Sequence, residues 1–137
     1  MLPDVTGYLA AAVGGALGAP ARWAVGEALP SATWPVATLL VNLTGCLLVG
    51  VLLAVLSARP PARPWLRPFL ATGVLGGWTT YSTFAVDVVR LAEAGAWGVA
   101  GGYVLVSVAG GVLAVAAGLL LGRAAVGRPA EVAGAGR

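Results

Sequence analysis

One stretch near the middle of the chain combines residue types that weaken a helix with residue types that bind small ions. Residues 73–87 read GVLGGWTTYSTFAVD, with three glycines, four Ser or Thr hydroxyls and the aromatic residues Trp78, Tyr81 and Phe84. Gly costs a helix about 1 kcal/mol relative to Ala, and Ser and Thr compete for its backbone hydrogen bonds. Carbonyl oxygens of an interrupted helix coordinate cations, whereas hydroxyls and aromatic ring edges suit an anion. The sequence therefore predicts a helix interruption that handles ions.

Further polar residues lie within apolar stretches, where each needs a partner or a water-lined cavity. Thr38 and Asn42 are one helical turn apart, as are Tyr103 and Ser107, so each pair shares a helix face. Arg22 ends the proline-containing sequence GAPAR. Each residue alone also has a structural explanation, since Ser and Thr bond to their own backbone and Asn joins neighbouring helices. Together they supply N–H and O–H donors, which favours an anion as the ligand.

The composition excludes several chemistries. Of the 137 residues, 59% are hydrophobic and 9% are charged, whereas a soluble domain has about 25% charge, so we predict a membrane protein. His and Lys are absent, which removes the common acid–base side chain and rules out a Walker loop at GVLGGWTT. The arginines are spread singly, which argues against a nucleic-acid partner. We expect no enzyme activity.

Four stretches are long enough to cross a bilayer, which takes about 20 apolar residues. Residues 36–57 and 97–122 carry no charge and are the clearest spans, whereas residues 5–29 include charged groups and residues 65–94 contain the central motif. We predict an all-α membrane protein of four transmembrane helices with a broken third helix. Its channel domain covers residues 1–126, and a disordered tail covers residues 127–137. Small residues at every fourth position of the first and fourth spans predict close helix packing.

These features resemble the fluoride channel family called Fluc or CrcB. The matching sequences are GGALGAPAR (14–22), TLLVNLTG (38–45), GVLGGWTTYSTF (73–84) and the pair Tyr103 and Ser107, in order through all four spans. The resemblance implies a multi-pass channel of the plasma or inner membrane that exports cytoplasmic fluoride passively and relieves fluoride toxicity. It also implies a small homodimer in the lipid whose two subunits insert antiparallel, a dual topology, with two fluoride pathways.

The resemblance assigns roles to individual residues. Gly76 and Thr79 would supply backbone carbonyls to a structural Na⁺ at the dimer axis, which is the one cofactor expected. Tyr81 and Phe84 fall on the two pore-facing phenylalanines of the family, and Arg22 falls on the basic residue of the vestibule. The other residues of the fluoride pathway are polar: Asn42, Thr38, Ser82, Thr83, Tyr103 and Ser107.

Three positions depart from the family pattern. Tyr81 replaces the first pore phenylalanine, so its ring edge is kept and a hydroxyl is added. Gly111 stands where a hydroxyl is expected, one turn beyond Ser107. Asp87, after the central motif, stands where Glu is usual.

The arginines are distributed unequally between the two sides of the predicted membrane domain. With four spans, both chain ends and the loop at 58–67 share one side, which carries the six arginines at 59, 63, 67, 123, 128 and 137. Arg90 and the pore-facing Arg22 lie toward the other side. The positive-inside rule favours both termini in the cytoplasm. An antiparallel homodimer needs both orientations, so a homodimer and an antiparallel heterodimer with a paralogue both stay open.

Two other classes of membrane protein are alternatives. Small four-helix proton-coupled exporters of the multidrug type resemble one another in a membrane-embedded carboxylate in the first span, where this chain has only Glu27 near the end. A non-conducting membrane assembly protein would have little reason to place a helix-breaking hydroxyl motif at mid-depth. A membrane enzyme would lack a catalytic base with a partner.

Overall fold

The computed structural model describes residues 5–30, 33–59 and 61–127, and this part of the chain is helical and contains no strand. The prediction of an all-α chain is confirmed for these residues. The predicted tail at 127–137 lies outside the described residues except for Gly127. In chain order the elements are α1 (Val5–Ala28), α2 (Val36–Ala58), a π-helix (Pro68–Leu75), the short α3 (Gly76–Trp78), α4 (Tyr81–Glu93) and α5 (Trp97–Val126).

Helices α2 and α5 are long and apolar enough to span a membrane, with mean hydropathies of 2.6 and 2.5 over their most apolar windows. Only 22% and 11% of those windows are buried, so most of their side chains face outward. At about 1.5 Å per residue, α2 is long enough for a hydrocarbon core of about 30 Å. The membrane spans predicted at 36–57 and 97–122 therefore coincide with α2 and α5, the two helices that are long and apolar enough to cross a membrane. The stretches at 5–29 and 65–94 are also largely helical, and their crossing of the membrane stays a prediction.

Glycines let α1 pack directly on the backbone of the π-helix and α3. A Cβ atom on Gly18 would overlap the carbonyl oxygen of Val74, and one on Gly14 would lie 2.8 Å from the Val74 nitrogen. A Cβ on Gly77 would lie 2.9 Å from the nitrogen of Ala19. The contacts advance together along the two segments, so these segments run parallel to each other.

Helices α2 and α5 form a second parallel pair through small residues. A Cβ on Gly118 would overlap the carbonyl oxygen of Leu47, and one on Gly122 would lie 2.7 Å from the Cβ of Ala54. Near the other end of the pair, a Cβ on Gly102 would lie within 3.9 Å of the Trp34 ring. The close packing predicted from the small residues of the fourth span is therefore confirmed.

The backbone between α3 and α4 is extended at two consecutive residues. Thr79 has φ −84° and ψ 159°, and Thr80 has φ −149° and ψ 122°. Before this point the chain forms the π-helix, at whose end the Gly76 N–H donates to the carbonyl of Ala71, five residues earlier. Within the central motif the chain therefore passes from the π-helix through the short α3 to two extended residues. Helix α4 then begins at Tyr81.

Candidate ion site

The side-chain amide of Asn42 binds both backbone polar groups of Thr80. The Asn42 Nδ2 donates to the Thr80 carbonyl over 2.9 Å, and the Thr80 N–H donates to the Asn42 Oδ1 over 2.8 Å. An amide side chain carries both a donor and an acceptor, so it replaces the helical partners that extended backbone loses. The structure thus places Asn42 at the interruption, with one N–H of its amide remaining.

Threonine hydroxyls complete the hydrogen bonding on both sides of the interruption. The Thr79 Oγ1 donates back to the Leu75 carbonyl over 3.0 Å. The Thr80 Oγ1 accepts from the Thr83 N–H over 3.1 Å, which caps the N-terminus of α4. The same oxygen lies 3.0 Å from the Thr83 hydroxyl and 3.2 Å from that of Ser82. The hydroxyls of Thr80, Ser82 and Thr83 therefore form one cluster.

Two side chains from the other helices hold the segment just before the interruption. The Arg22 Nε, from α1, donates to the Gly77 carbonyl over 3.0 Å. The indole Nε1 of Trp78 donates to the Thr44 hydroxyl of α2 over 2.9 Å. This second contact was not predicted from the sequence, although a tryptophan inside a polar motif is a signal for a hydrogen-bond acceptor nearby.

The carbonyl groups of Gly76 and Thr79, the predicted cation ligands, lie at the start and the end of the short segment before Thr80. Among the described residues, no hydrogen bond beyond the helix ladders ends on either oxygen. Gly76 is exposed, and a Cβ there would meet nothing closer than the Ala71 carbonyl oxygen at 3.8 Å. The described part of the chain holds no cluster of His, Cys, Asp or Glu side chains suited to a metal. A cation at this place would therefore be held by backbone oxygens.

Three aromatic rings follow one another beside the interruption. The ring centroids of Tyr81 and Phe84 are 5.8 Å apart, and those of Phe84 and Tyr103 are 5.4 Å apart. The prediction that Tyr81 and Phe84 share one side of the helix is confirmed. Their environments differ, because Tyr81 is 81% exposed whereas Tyr103 is fully buried.

A surface groove of about 390 Å³ runs along the interruption between α2, α4 and α5. The hydroxyl of Ser107 lies in its wall, buried and with no hydrogen-bond partner among the described residues. A buried polar atom without a partner favours a ligand or an ordered water beside it. The other polar and aromatic residues of the groove are Asn42, Thr79, Thr80, Tyr81 and Phe84.

A smaller, second cavity of about 210 Å³ lies next to Thr80. Arg22 and Glu27 of α1 line it together with Thr38 and Thr83. Thr80 lines both this cavity and the groove. The predicted vestibule residue Arg22 therefore shares one cavity with two predicted pathway residues, Thr38 and Thr83, whereas Asn42 and Ser107 line the groove.

A carboxylate binds two of the hydroxyls that were predicted to line the pathway. The Thr38 Oγ1 donates to the Asp87 Oδ2 over 2.8 Å, and the Tyr103 hydroxyl donates to the same oxygen over 3.4 Å. Thr38 is only 7% exposed. From the sequence, Asp87 was noted only as a departure from the family pattern, and this contact was not predicted. The available signal was a single acidic residue inside an apolar stretch, which requires donors.

Comparison with known proteins identifies the family. The family model described as "CrcB-like protein, Camphor Resistance (CrcB)" matches residues 9–119. The chain belongs to the CrcB family. The resemblance stated from the four sequence motifs is thereby confirmed.

Curated relatives cover most of this CrcB-family chain. A protein of Bordetella petrii is 48% identical over 112 residues, which are 82% of this chain and 88% of the relative. One of Paracoccus denitrificans is 48% identical over 120 residues, 85% of this chain and 94% of the relative. One of Chloroflexus aurantiacus is 42% identical over 118 residues, 84% and 94% of the two chains. Each is named "Fluoride-specific ion channel FluC". Membership of an ion-channel family confirms that the chain is a membrane protein.

Proposed function

We propose that this CrcB-family chain is a fluoride-selective channel that lets cytoplasmic fluoride leave the cell passively. The observation that carries the proposal is the pairing of Asn42 with Thr80, which fixes a helix interruption beside a groove of hydroxyl groups and aromatic rings. The curated relatives named as fluoride-specific channels support the same ion. Because the family is one of ion channels, the chain is a channel and not an enzyme.

The interruption supplies donors that suit a small anion. The first N–H groups of α4 have no partner within their own helix, and the positive end of the helix dipole lies beside them. The remaining amide N–H of Asn42 and the hydroxyls of Ser82 and Thr83 lie close by. Fluoride holds its water tightly, so many weak contacts in sequence must replace that water while still allowing the ion to leave.

The aromatic rings and the remaining hydroxyls extend this path. Phe84 lies between the exposed Tyr81 and the buried Tyr103 and lines the groove, and we expect its ring edge to contact an ion that passes there. Ser107 offers a hydroxyl in the groove that has no hydrogen-bond partner among the described residues. The hydroxyls of Thr38 and Tyr103 continue the path and donate to Asp87. Arg22 attracts anions at the vestibule.

In this proposal α1 and the interrupted segment at 66–93 also cross the membrane, which gives four transmembrane helices with a broken third helix. The channel then assembles as a dual-topology dimer with two antiparallel subunits. The groove supports this arrangement, because it is open along one side and Tyr81 stands in it 81% exposed. A second subunit would close it. The dimer would lie in the plasma or inner membrane as a multi-pass protein.

We also propose that a structural Na⁺ binds at the dimer axis between the two interruptions. The carbonyls of the exposed residue Gly76 and of Thr79 are the proposed ligands from this chain, and both carbonyls lack other partners beyond the helix ladders among the described residues. A cation there offsets the partial negative charge of backbone oxygens brought together by two subunits.

Fluoride efflux from liposomes tests the proposed function. The purified chain is reconstituted with internal potassium fluoride, and external fluoride is followed with an ion-selective electrode after valinomycin is added. We expect fast fluoride release and no chloride release from matched liposomes loaded with potassium chloride. Equal release of both halides, or fluoride release no faster than from empty liposomes, would contradict the proposal.

The proton-coupled exporter is the second candidate, and Glu27 is the observation that favours it. This carboxylate lines the same small cavity as Arg22, near the end of α1. An exporter would need it to bind and release protons during each cycle. Fluoride flux that does not change when a pH gradient is imposed, and a Glu27→Gln variant that conducts normally, would exclude that class.

A further inference from the structure

A surface cavity of about 290 Å³ lies where the end of α1, the start of α2 and the end of α4 meet. Thr38 and Asp87 both line it, and the Thr38 hydroxyl donates to the Asp87 carboxylate over 2.8 Å. The hydroxyls of the proposed fluoride path therefore lead to this cavity. We call it the mouth cavity.

The carboxylate of Asp87 is an obstacle at this place. Its Oδ2 accepts hydrogen bonds from the Thr38 and Tyr103 hydroxyls, which stabilise the negative charge without removing it. An anion that enters the path from the mouth cavity must approach this charge, and like charges repel strongly where low-dielectric protein surrounds them. A positive charge in the same cavity would offset the repulsion.

Arg90 places a positive charge in the mouth cavity. It follows Asp87 by three residues on α4, so the two side chains share one face of the helix. Within the described part of the chain, they are the only charged side chains that line this cavity. No hydrogen bond or ion pair joins the Arg90 guanidinium to another described residue. The guanidinium, which is always positive, is therefore available to an anion.

Arg22 does not supply this charge to the mouth cavity. It lines the neighbouring cavity of about 210 Å³, which it shares with the carboxylate of Glu27. Its Nε is bound to the Gly77 carbonyl over 3.0 Å. Arg22 and Arg90 thus lie in two different cavities, and Thr38 lines both of them.

We infer that Arg90 is a further residue of the fluoride path: its guanidinium offsets the Asp87 charge and so admits fluoride to the mouth cavity. Charges in a cleft with low-dielectric walls change the local concentration of small ions, and salt screens the effect. Arg90 therefore controls how readily fluoride enters, and the groups deeper in the path bind it. This inference rests on the proposed function.

Neutralising Arg90 tests the inference in the liposome efflux assay. Arg90→Gln leaves the Asp87 charge without an offset. At low fluoride and an ionic strength of about 0.01 M, where the Debye length is about 30 Å, the efflux rate should fall on the order of 10-fold. At about 1 M the Debye length is about 3 Å, so the rates of variant and wild type should converge. At saturating fluoride the two maximal rates should differ much less, because the binding groups inside the path are unchanged.

Two variants separate this role from a structural one. A cation in the last turn of a helix also stabilises the helix through its dipole. Arg123 is in the last turn of α5 and lines neither cavity, so Arg123→Gln should conduct at the wild-type rate. Arg90→Lys keeps the charge and should conduct nearly as fast as wild type. Equal fluoride efflux from Arg90→Gln and Arg123→Gln at low ionic strength would overturn the inference.

Chemical restoration of the charge tests the same role if Arg90→Gln folds poorly. Arg90→Cys is combined with Cys46→Ala, which removes the single native cysteine. A trimethylammonium-bearing methanethiosulfonate should raise fluoride efflux toward that of Cys46→Ala alone, and a sulfonate-bearing one should lower it further. If the two reagents have the same effect, the charge at position 90 does not control entry and the inference fails.

The wild-type chain distinguishes this inference from the proposed function. Wild-type protein that releases no fluoride would overturn the proposed function, and the inference with it. Fast wild-type release that Arg90→Gln matches at low ionic strength would overturn the inference alone. Chloride release should stay absent from every variant, because Arg90 attracts all anions alike and selection takes place deeper in the path.

Discussion

Asn42 and Thr80 pair as two peptide groups do, each donating one hydrogen bond and accepting one, over 2.8 and 2.9 Å. The pairing fixes which way the amide points, because its oxygen must face the Thr80 N–H and its nitrogen the Thr80 carbonyl. The remaining N–H of the amide is therefore held in a defined direction. In the proposed channel, one side chain thus both stabilises the extended backbone and offers a donor to the ion.

Asn42→Asp is expected to abolish fluoride flux. Aspartate lacks the donor for the Thr80 carbonyl, and it places a negative charge in the path of an anion. An unpaired buried carbonyl costs about 1–3 kcal/mol, so the variant should also unfold at lower temperature. Fluoride efflux from liposomes and thermal unfolding in detergent measure the two effects. Thr44→Ser is the control on the same helix, since it keeps the hydroxyl acceptor for Trp78. If fluoride efflux through Asn42→Asp is as fast as through Thr44→Ser, Asn42 has no role in conduction.

Phe84→Ile is expected to suppress fluoride flux while the protein stays folded. Isoleucine keeps the apolar character but removes the positive ring edge that lies between Tyr81 and Tyr103. The chain has one other phenylalanine, Phe69, whose ring packs on Trp65 outside the groove. Phe69→Ile is therefore the matched control and should conduct normally. If both variants conduct equally in the efflux assay, the ring edge of Phe84 has no part in conduction.

Removal of Na⁺ is expected to destabilise the dimer. A ligand present at 100 times its Kd stabilises the state that binds it by about 2.7 kcal/mol. The unfolding temperature and the dimer fraction should therefore fall when Na⁺ is replaced by N-methylglucamine at equal ionic strength, and recover when Na⁺ is returned. Unchanged melting in both buffers would speak against cation binding at the Gly76 and Thr79 carbonyls.

Gly18→Ala is expected to destabilise the contact between α1 and the π-helix. The added Cβ would overlap the Val74 carbonyl oxygen, and overpacking of this kind costs about 1–3 kcal/mol. Gly26→Ala on the same helix is the control, because its Cβ meets nothing within 4 Å. That change should be neutral or stabilising by up to about 1 kcal/mol. Thermal unfolding of both variants in detergent measures the difference, and equal shifts would contradict the packing described.

Asp87→Ala is expected to destabilise the fold and to slow conduction. It removes the acceptor shared by the Thr38 and Tyr103 hydroxyls, and an unpaired buried hydroxyl costs about 1–3 kcal/mol. Glu93→Ala, at an exposed position at the end of the same helix, removes the same charge without that contact. Unfolding temperature and fluoride efflux should therefore change for Asp87→Ala and stay near wild type for Glu93→Ala.

The sequence predicted the helices well because their signals are local. Uncharged stretches of about 20 residues mark α2 and α5 through length and hydropathy alone. The glycine and threonine content of residues 73–87 marked the place where the backbone becomes extended, since these residues weaken a helix wherever they occur. Spacing along one helix likewise placed Tyr81 beside Phe84.

The contacts between distant residues could not be predicted in the same way. Thr38 was predicted to line the fluoride pathway, which stays a prediction; what the sequence could not show is that its hydroxyl donates to Asp87, 49 positions later in the chain. Asn42 was predicted to offer a donor on the pore side, and the sequence did not show that its amide also binds the N–H and the carbonyl of Thr80. Such pairs depend on the register in which α4 passes α2, which no periodicity within either helix encodes.

The pairing order of the helices has a consequence for how the chain is made. Neither α1 nor α2 packs mainly on its neighbour in the chain: α1 packs on the π-helix, and α2 packs on α5. At translation rates of about 5–20 residues per second, α5 is complete roughly 3–14 s after α2. During that time the small-residue faces of α1 and α2 have only lipid or the insertion machinery beside them. Truncation before α5 would therefore leave α2 without its main packing surface and expose the nascent protein to quality-control proteases.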